Sequence, residues 1–230
     1  MFVGIEPRQR PRILWATPLL FASLWLAYVL AALRAPAGRI AATLDWGVLS
    51  GGLDSLAAWR AALADGSMLR LFSGLFLHAD WLHLLGNLVF LLIFGLPAER
   101  VMGGRRLLAL FLLGGAVANL AAVLAIGAPD RVIIGASGAV SALIGAYLAL
   151  FPGARLGVVL PLGLFLQFVR VPASLLIGLW VLLQMVFAYS GPAFGAVAWS
   201  AHIAGFLFGV LFALLARAAI ARRLRRSRGY

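Results

Sequence analysis

The stretch GASGAVSALIGAYLALF, residues 135–151, decides how this chain is read. It carries no charge, and its polar side chains are Ser137, Ser141 and Tyr147. As a helix rising 1.5 Å per residue it measures about 25 Å, short of the roughly 30 Å of a bilayer's hydrocarbon core. With one end at an interface, Ser137 falls below the opposite surface. Backbone and polar groups at that depth are tolerated only where they line a wet cavity or are buried in protein. Small residues around a serine more often serve close helix packing than chemistry, so the rest of the chain has to decide between the two.

The composition is that of a membrane protein. Of 230 residues, 64% are hydrophobic and 11% charged, against roughly 45–50% and about 25% in soluble domains. Apolar runs predict helices at about 13–33, 81–96, 107–126, 135–151, 171–189 and 199–216, an all-α bundle of six transmembrane helices in one domain spanning 13–217. The first run is longer than a signal peptide's apolar core and is read as a retained helix. Residues 34–77 mix Asp45, Asp54 and Asp65 with Arg39, Arg60 and Arg70 and form a long membrane-associated outer loop. Residues 152–171 are apolar but interrupted by Pro161 and Gly163, and are read as a surface or re-entrant segment.

The formal charge is +12, and every basic residue is arginine. With both termini cytoplasmic, 14 of the 19 arginines lie inside: Arg8, Arg10 and Arg12 in a short segment 1–12, Arg100, Arg105, Arg106, Arg155, Arg170, and six in a basic tail, 218–230, and the residue before it. This satisfies the positive-inside rule and points to anionic lipid at the membrane surface as partner, with no nucleic acid. The chain has no cysteine, which excludes disulfides, thiolate metal sites and a cysteine nucleophile. No metal and no cofactor is expected. All-arginine usage fits a GC-rich bacterial genome, hence the bacterial cytoplasmic membrane. Oligomeric state and the particular substrate are not legible.

The three histidines, His78, His83 and His202, lie in or beside apolar spans, where ionisable groups are costly and default to functional candidates, with helix-to-helix hydrogen bonding as the bland alternative. The second, fourth and sixth spans all enter from the outer side. That brings His83, Asn87, Ser137 and His202 to similar depth in the first turns of their helices. There His202 can act as general base on the Ser137 hydroxyl, while His83 and Asn87, four residues apart on one helix face, can donate to an oxyanion. Asp80, just before the second span, suits a helix cap. Ser141 shares the face of Ser137 and is a formal rival nucleophile without the flanking glycines.

The order His78-x4-His83-x3-Asn87, then Gly135-Ala136-Ser137-Gly138, then Ala201-His202-Ile203-Ala204-Gly205-x3-Gly209 resembles the bacterial rhomboid intramembrane serine proteases, over about residues 67–216. The resemblance implies a serine endopeptidase that cleaves transmembrane protein substrates, with Ser137 as nucleophile and His202 as general base. His83, Asn87 and the Ser137 backbone N–H would form the oxyanion site. It further implies that His78 steadies a loop, that Arg70 and Glu99 are structural, and that Gly135, Gly138, Gly205 and Gly209 support the site. Two positions depart from the family pattern. Ser141 stands where some members carry an aromatic stacked on the histidine, so nothing in the resemblance orients His202. Leu69-Arg70 stands where many carry Trp-Arg. The alternatives are a catalytically inactive rhomboid-like protein that binds membrane clients, and a small transporter or channel, which the absence of paired intramembrane acids and broken-helix repeats disfavours.

Overall fold

The computed structural model describes residues 13–51, 53, 55–126, 131–162, 165–190 and 199–228. The segment 1–12 and the last two residues of the basic tail lie outside the described residues. Helix α1 is Ala16–Ala32, followed by α2 at Pro36–Trp46, a short strand β1 at Val48–Leu49, and α3 at Leu56–Ala64. Short helical turns cover Ser67–Phe76 and lead to α4, Trp81–Met102. Next come α5 (Gly104–Ala125), β2 (Val132–Ile133) and α6 (Ser137–Leu150). The chain closes with β3 (Arg155–Leu162), β4 (Phe165–Pro172), α7 (Ala173–Ser190) and α8 (Trp199–Arg228). This is an all-α membrane bundle with two small ladders attached. Among the described residues, α4, α5 and α8 up to Arg225 are long and apolar enough to cross a bilayer; α1, α6 and the first part of α7 are shorter apolar helices.

Helix α6 is the centre of the bundle. Every residue from Gly138 to Tyr147 is buried, as expected of a helix apolar on all faces, and α5 and α8 pack along it. The outer faces of α1, α4, α7 and α8 instead expose Leu26, Leu30, Leu85, Leu179, Leu182 and Leu211, among others, an apolar mantle suited to lipid rather than water.

The sequence reading stops the second span at Leu96, before Pro97. The helix runs on to Met102 because a π turn at Leu91–Gly95 widens the ladder just ahead of the proline, absorbing its missing N–H and its clash with the preceding turn. That extension carries Glu99 to the start of α1. There one carboxylate oxygen accepts the N–H groups of Trp15 and Ala16, and the other that of Thr17, all at 2.8 Å. Glu99 thus caps α1 from another helix, satisfying donors with no intrahelical acceptor and placing a negative charge at a helix N-terminus.

Where the sequence reads as a surface or re-entrant segment, Arg155–Leu162 and Phe165–Pro172 pair as an antiparallel ladder, with Arg155 opposite Pro172 and Leu162 opposite Phe165. The backbone of this apolar segment is therefore paired with itself. Helix α8 continues to Arg228, so the described part of the basic tail is helical. At 30 residues it is about 45 Å long and outreaches the hydrocarbon core.

The outer loop is tied to the stretch before Ser137. Strands β1 and β2 pair antiparallel, Val48 with Ile133 and Leu49 with Val132. The Gly135 N–H donates to the Gly74 carbonyl at 2.9 Å, and Asn119 on α5 donates to the Leu71 carbonyl at 2.9 Å. Arg70 donates to the Leu44 carbonyl at 3.1 Å within the loop.

Glu99→Gln turns one capping oxygen into a donor facing donors. It should lower the unfolding free energy in detergent by about 3 kcal/mol, since hydrogen bonds to a charged group contribute about 1.5–3 kcal/mol each. An unchanged denaturation midpoint would remove Glu99 from the scaffold.

Candidate active site

The site forms where α4, α6, α7 and α8 converge. Asp80 is the N-cap of α4, accepting the His83 N–H at 2.9 Å, and so fixes where that helix begins. One turn further, Asn87 is buried and donates from Nδ2 to the His83 carbonyl at 3.1 Å. Its amide has a second N–H beyond that bond. The His83 ring lies edge-on to that of His78, with centroids 5.1 Å apart. His78 is itself buried, and its Nε2 accepts the Ala136 N–H at 3.4 Å.

Gly135 has a φ of +115°, and a Cβ there would lie 2.6 Å from Cε1 of His83. Both the backbone conformation and the space demand glycine. Ser137 follows in the first turn of α6, where its N–H has no intrahelical acceptor.

Helix α8 brings the histidine. A Cβ on Gly205 or Gly209 would collide with the backbone of Gly138 or Ala142, and one on Gly145 with the carbonyl of Phe206. The two helices therefore meet backbone to backbone. In that register His202 Nε2 stands 2.8 Å from Ser137 Oγ, within the reach that proton transfer between such groups requires. Ser141, buried one turn below, donates its hydroxyl to the Ser137 carbonyl at 2.7 Å. The rival serine is engaged with its own helix.

The sequence reading missed what holds His202. On α7, Gln184 is buried and its Oε1 lies 2.7 Å from His202 Nδ1. Trp180, one turn earlier on the same helix, stacks on the imidazole with centroids 6.3 Å apart and planes at 29°, and Trp199 meets it edge-on at 5.8 Å. An uncharged amide inside an otherwise apolar span was the available signal, since such groups are costly unless partnered.

His83, Asn87, Ser137, Ser141, Trp180 and His202 all line one cavity of about 240 Å³. Arg70 and Glu99 do not line it; their bonds belong to the outer loop and to the α1 cap. A basic imidazole nitrogen on a hydroxyl, beside an asparagine, a second histidine and a helix N-terminus, is equipped for acyl transfer.

Fold and site together define a polytopic helical membrane protein with a serine–histidine pair inside the bundle. The family model of the Rhomboid domain matches residues 65–219, and the chain belongs to the rhomboid family. It is 36% identical over 90 residues to RHOMBOID-like protein 5 of Arabidopsis thaliana, covering 39% of this chain and 29% of that protein. It is 33% identical over 96 residues to "Putative rhomboid protease YdcA" of Bacillus subtilis (strain 168), covering 41% of this chain and 47% of that protein. The matched stretches thus span less than half of each of these relatives.

Gly209→Val should force α8 away from α6. Overpacking of this kind costs about 1–3 kcal/mol, read as a lower melting temperature in detergent, and reaction of Ser137 with a fluorophosphonate should fall with it. Gly178→Ala, where a Cβ meets nothing within 4 Å, is the control and should change neither. Normal labelling in the Gly209 variant would show that the close approach is not what aligns the pair.

Proposed function

We propose that this chain is an intramembrane serine endopeptidase that cleaves transmembrane segments of other membrane proteins. The observation that carries the reading is the 2.8 Å contact between His202 Nε2 and Ser137 Oγ at the wall of a cavity. Ser137 Oγ attacks the scissile carbonyl carbon while His202 takes its proton. The tetrahedral oxyanion is met by the Ser137 N–H, the free amide N–H of Asn87 and His83. Collapse expels the amine half of the substrate, protonated by His202, and leaves an acyl-serine ester. Water, deprotonated by the same imidazole, then hydrolyses that ester and restores the pair.

Helix α6 has 14 residues and is about 21 Å long, so Ser137 sits below one membrane surface when the other end of the helix meets the opposite interface. Water and an extended peptide then reach it only through a cavity, which the space beside Ser137 provides. A helical substrate has its carbonyls engaged in its own ladder and must unwind locally before attack.

The arginine distribution supports an orientation with the termini and the β3–β4 ladder on the cytoplasmic side of a bacterial inner membrane and the cavity open to the outside. The basic end of α8 then lies where it can touch anionic lipid headgroups.

The decisive experiment compares purified wild type with Ser137→Ala and His202→Ala on a model transmembrane substrate. Both variants should cleave at background, and Asn87→Ala should lower kcat about 10²–10³-fold, the usual effect of losing one oxyanion donor. Cleavage persisting in Ser137→Ala would refute the site. A wild type that binds such substrates but neither cleaves them nor reacts with a fluorophosphonate would make the chain a client-binding rhomboid-like protein.

A further inference from the structure

We propose that Gln184 is the positioning residue of this site, the third member of a Ser137–His202–Gln184 relay, setting which imidazole nitrogen carries the proton. The proposal rests on the protease reading for its kinetic consequences, but its structural content stands separately.

A neutral imidazole has two unlike nitrogens. One ring nitrogen is a donor and the other an acceptor, and only the tautomer with a bare Nε2 can accept the Ser137 proton. Gln184 Oε1, an acceptor, lies 2.7 Å from Nδ1. That bond forms only when Nδ1 carries the hydrogen, which leaves Nε2 bare, 2.8 Å from Ser137 Oγ. The amide oxygen thus selects the tautomer, and the hydroxyl, able to donate or accept, fits it as a donor. In hydrolases of the serine–histidine–aspartate type a carboxylate performs this selection. Here an uncharged amide does so from a helix where a carboxylate would be far more costly to bury.

Packing completes the device. Gln184 is buried on α7, and Trp180, four residues earlier and so on the same face, covers the flat side of the ring. One helix face thus supplies both the acceptor and the stacking surface. Ser141, at the position that the family resemblance assigns to a stacking aromatic, turns its hydroxyl to the Ser137 carbonyl instead. Among the described residues, the other titratable group acting on His202 is His83, across the cavity on α4. Among the described residues, no charged side chain is hydrogen-bonded to the ring.

The test uses this whole 230-residue chain in detergent, with Gln184→Leu and Gln184→Glu. Gln184→Leu removes the acceptor, and the arrangement that then leaves no orphan N–H puts the proton on Nε2, facing Ser137. It should lose about 100-fold in kcat, the scale of misplaced acid–base catalysis, with KM unchanged. Gln184→Glu offers only acceptors and adds charge. It should keep cleavage but move the acid limb of the pH–rate profile to higher pH by about one unit or more, because a neighbouring carboxylate favours the imidazolium and the reaction needs the free base.

Nitrogen-15 NMR of the histidines reads the tautomer directly. His202 should carry its proton on Nδ1 in the wild type and on Nε2 in Gln184→Leu. Wild-type kcat in Gln184→Leu, an unmoved acid limb in Gln184→Glu, or a wild-type His202 protonated on Nε2 would each overturn the proposal. If the wild type proves inactive while NMR shows the Nδ1 proton and its loss in Gln184→Leu, the positioning role stands and the protease reading falls.

Discussion

The backbone contact between α6 and α8 is the constraint on which the rest of this structure depends. In lipid, helices gain nothing from excluding water from one another, so association rests on close packing and on hydrogen bonds between helices. Gly145, Gly205 and Gly209 remove the Cβ atoms that would hold the two helices apart, and Gly138 does the same against Ala118 on α5. What the contact achieves is specific: it sets the register in which Nε2 of one helix lies 2.8 Å from Oγ of the other. Hydrogen bonds weaken steeply with distance and angle, so a shift of the width of one methyl group would leave two polar side chains in an apolar bundle with nothing between them.

Around that contact, five buried polar groups are each held to a named partner. Glu99 caps α1, Asn119 holds the outer loop at Leu71, Asn87 and Ser141 bond back to their own helices, and Gln184 meets His202. Each of these groups is costly to bury unpaired. Together they fix α4, α6, α7 and α8 around one cavity and leave Ser137 and His202 with each other. The β1–β2 ladder and the Gly135–Gly74 bond hold the entry to α6 from the loop side, so α6 is fixed by packing along its length and by hydrogen bonds at its start.

Much of this was legible in the sequence, for physical reasons that differ by element. Long apolar runs announce membrane helices because hydrocarbon tolerates little else. Ser137, His83 and His202 stood out because polar groups there need a reason, and Asp80 because a carboxylate before an apolar run suits a helix N-terminus. Gln184 was subject to the same logic and was passed over. An amide can be satisfied in many ways, and nothing in the spacing of residues 184 and 202 says that α7 and α8 face each other there. The β3–β4 ladder was illegible because a continuous apolar run without alternation reads equally as helix, strand or re-entrant segment. The π turn that carries α4 past Pro97 is a backbone adjustment with no side-chain pattern of its own.

Covalent trapping followed by tandem mass spectrometry tests the central claim most directly: that His202 activates Ser137, and no other hydroxyl, as a nucleophile. Wild-type protein treated with a fluorophosphonate should carry a single adduct on the Ser137 Oγ, and His202→Ala protein should carry none. An adduct on Ser141, or undiminished labelling of Ser137 without His202, would contradict the account.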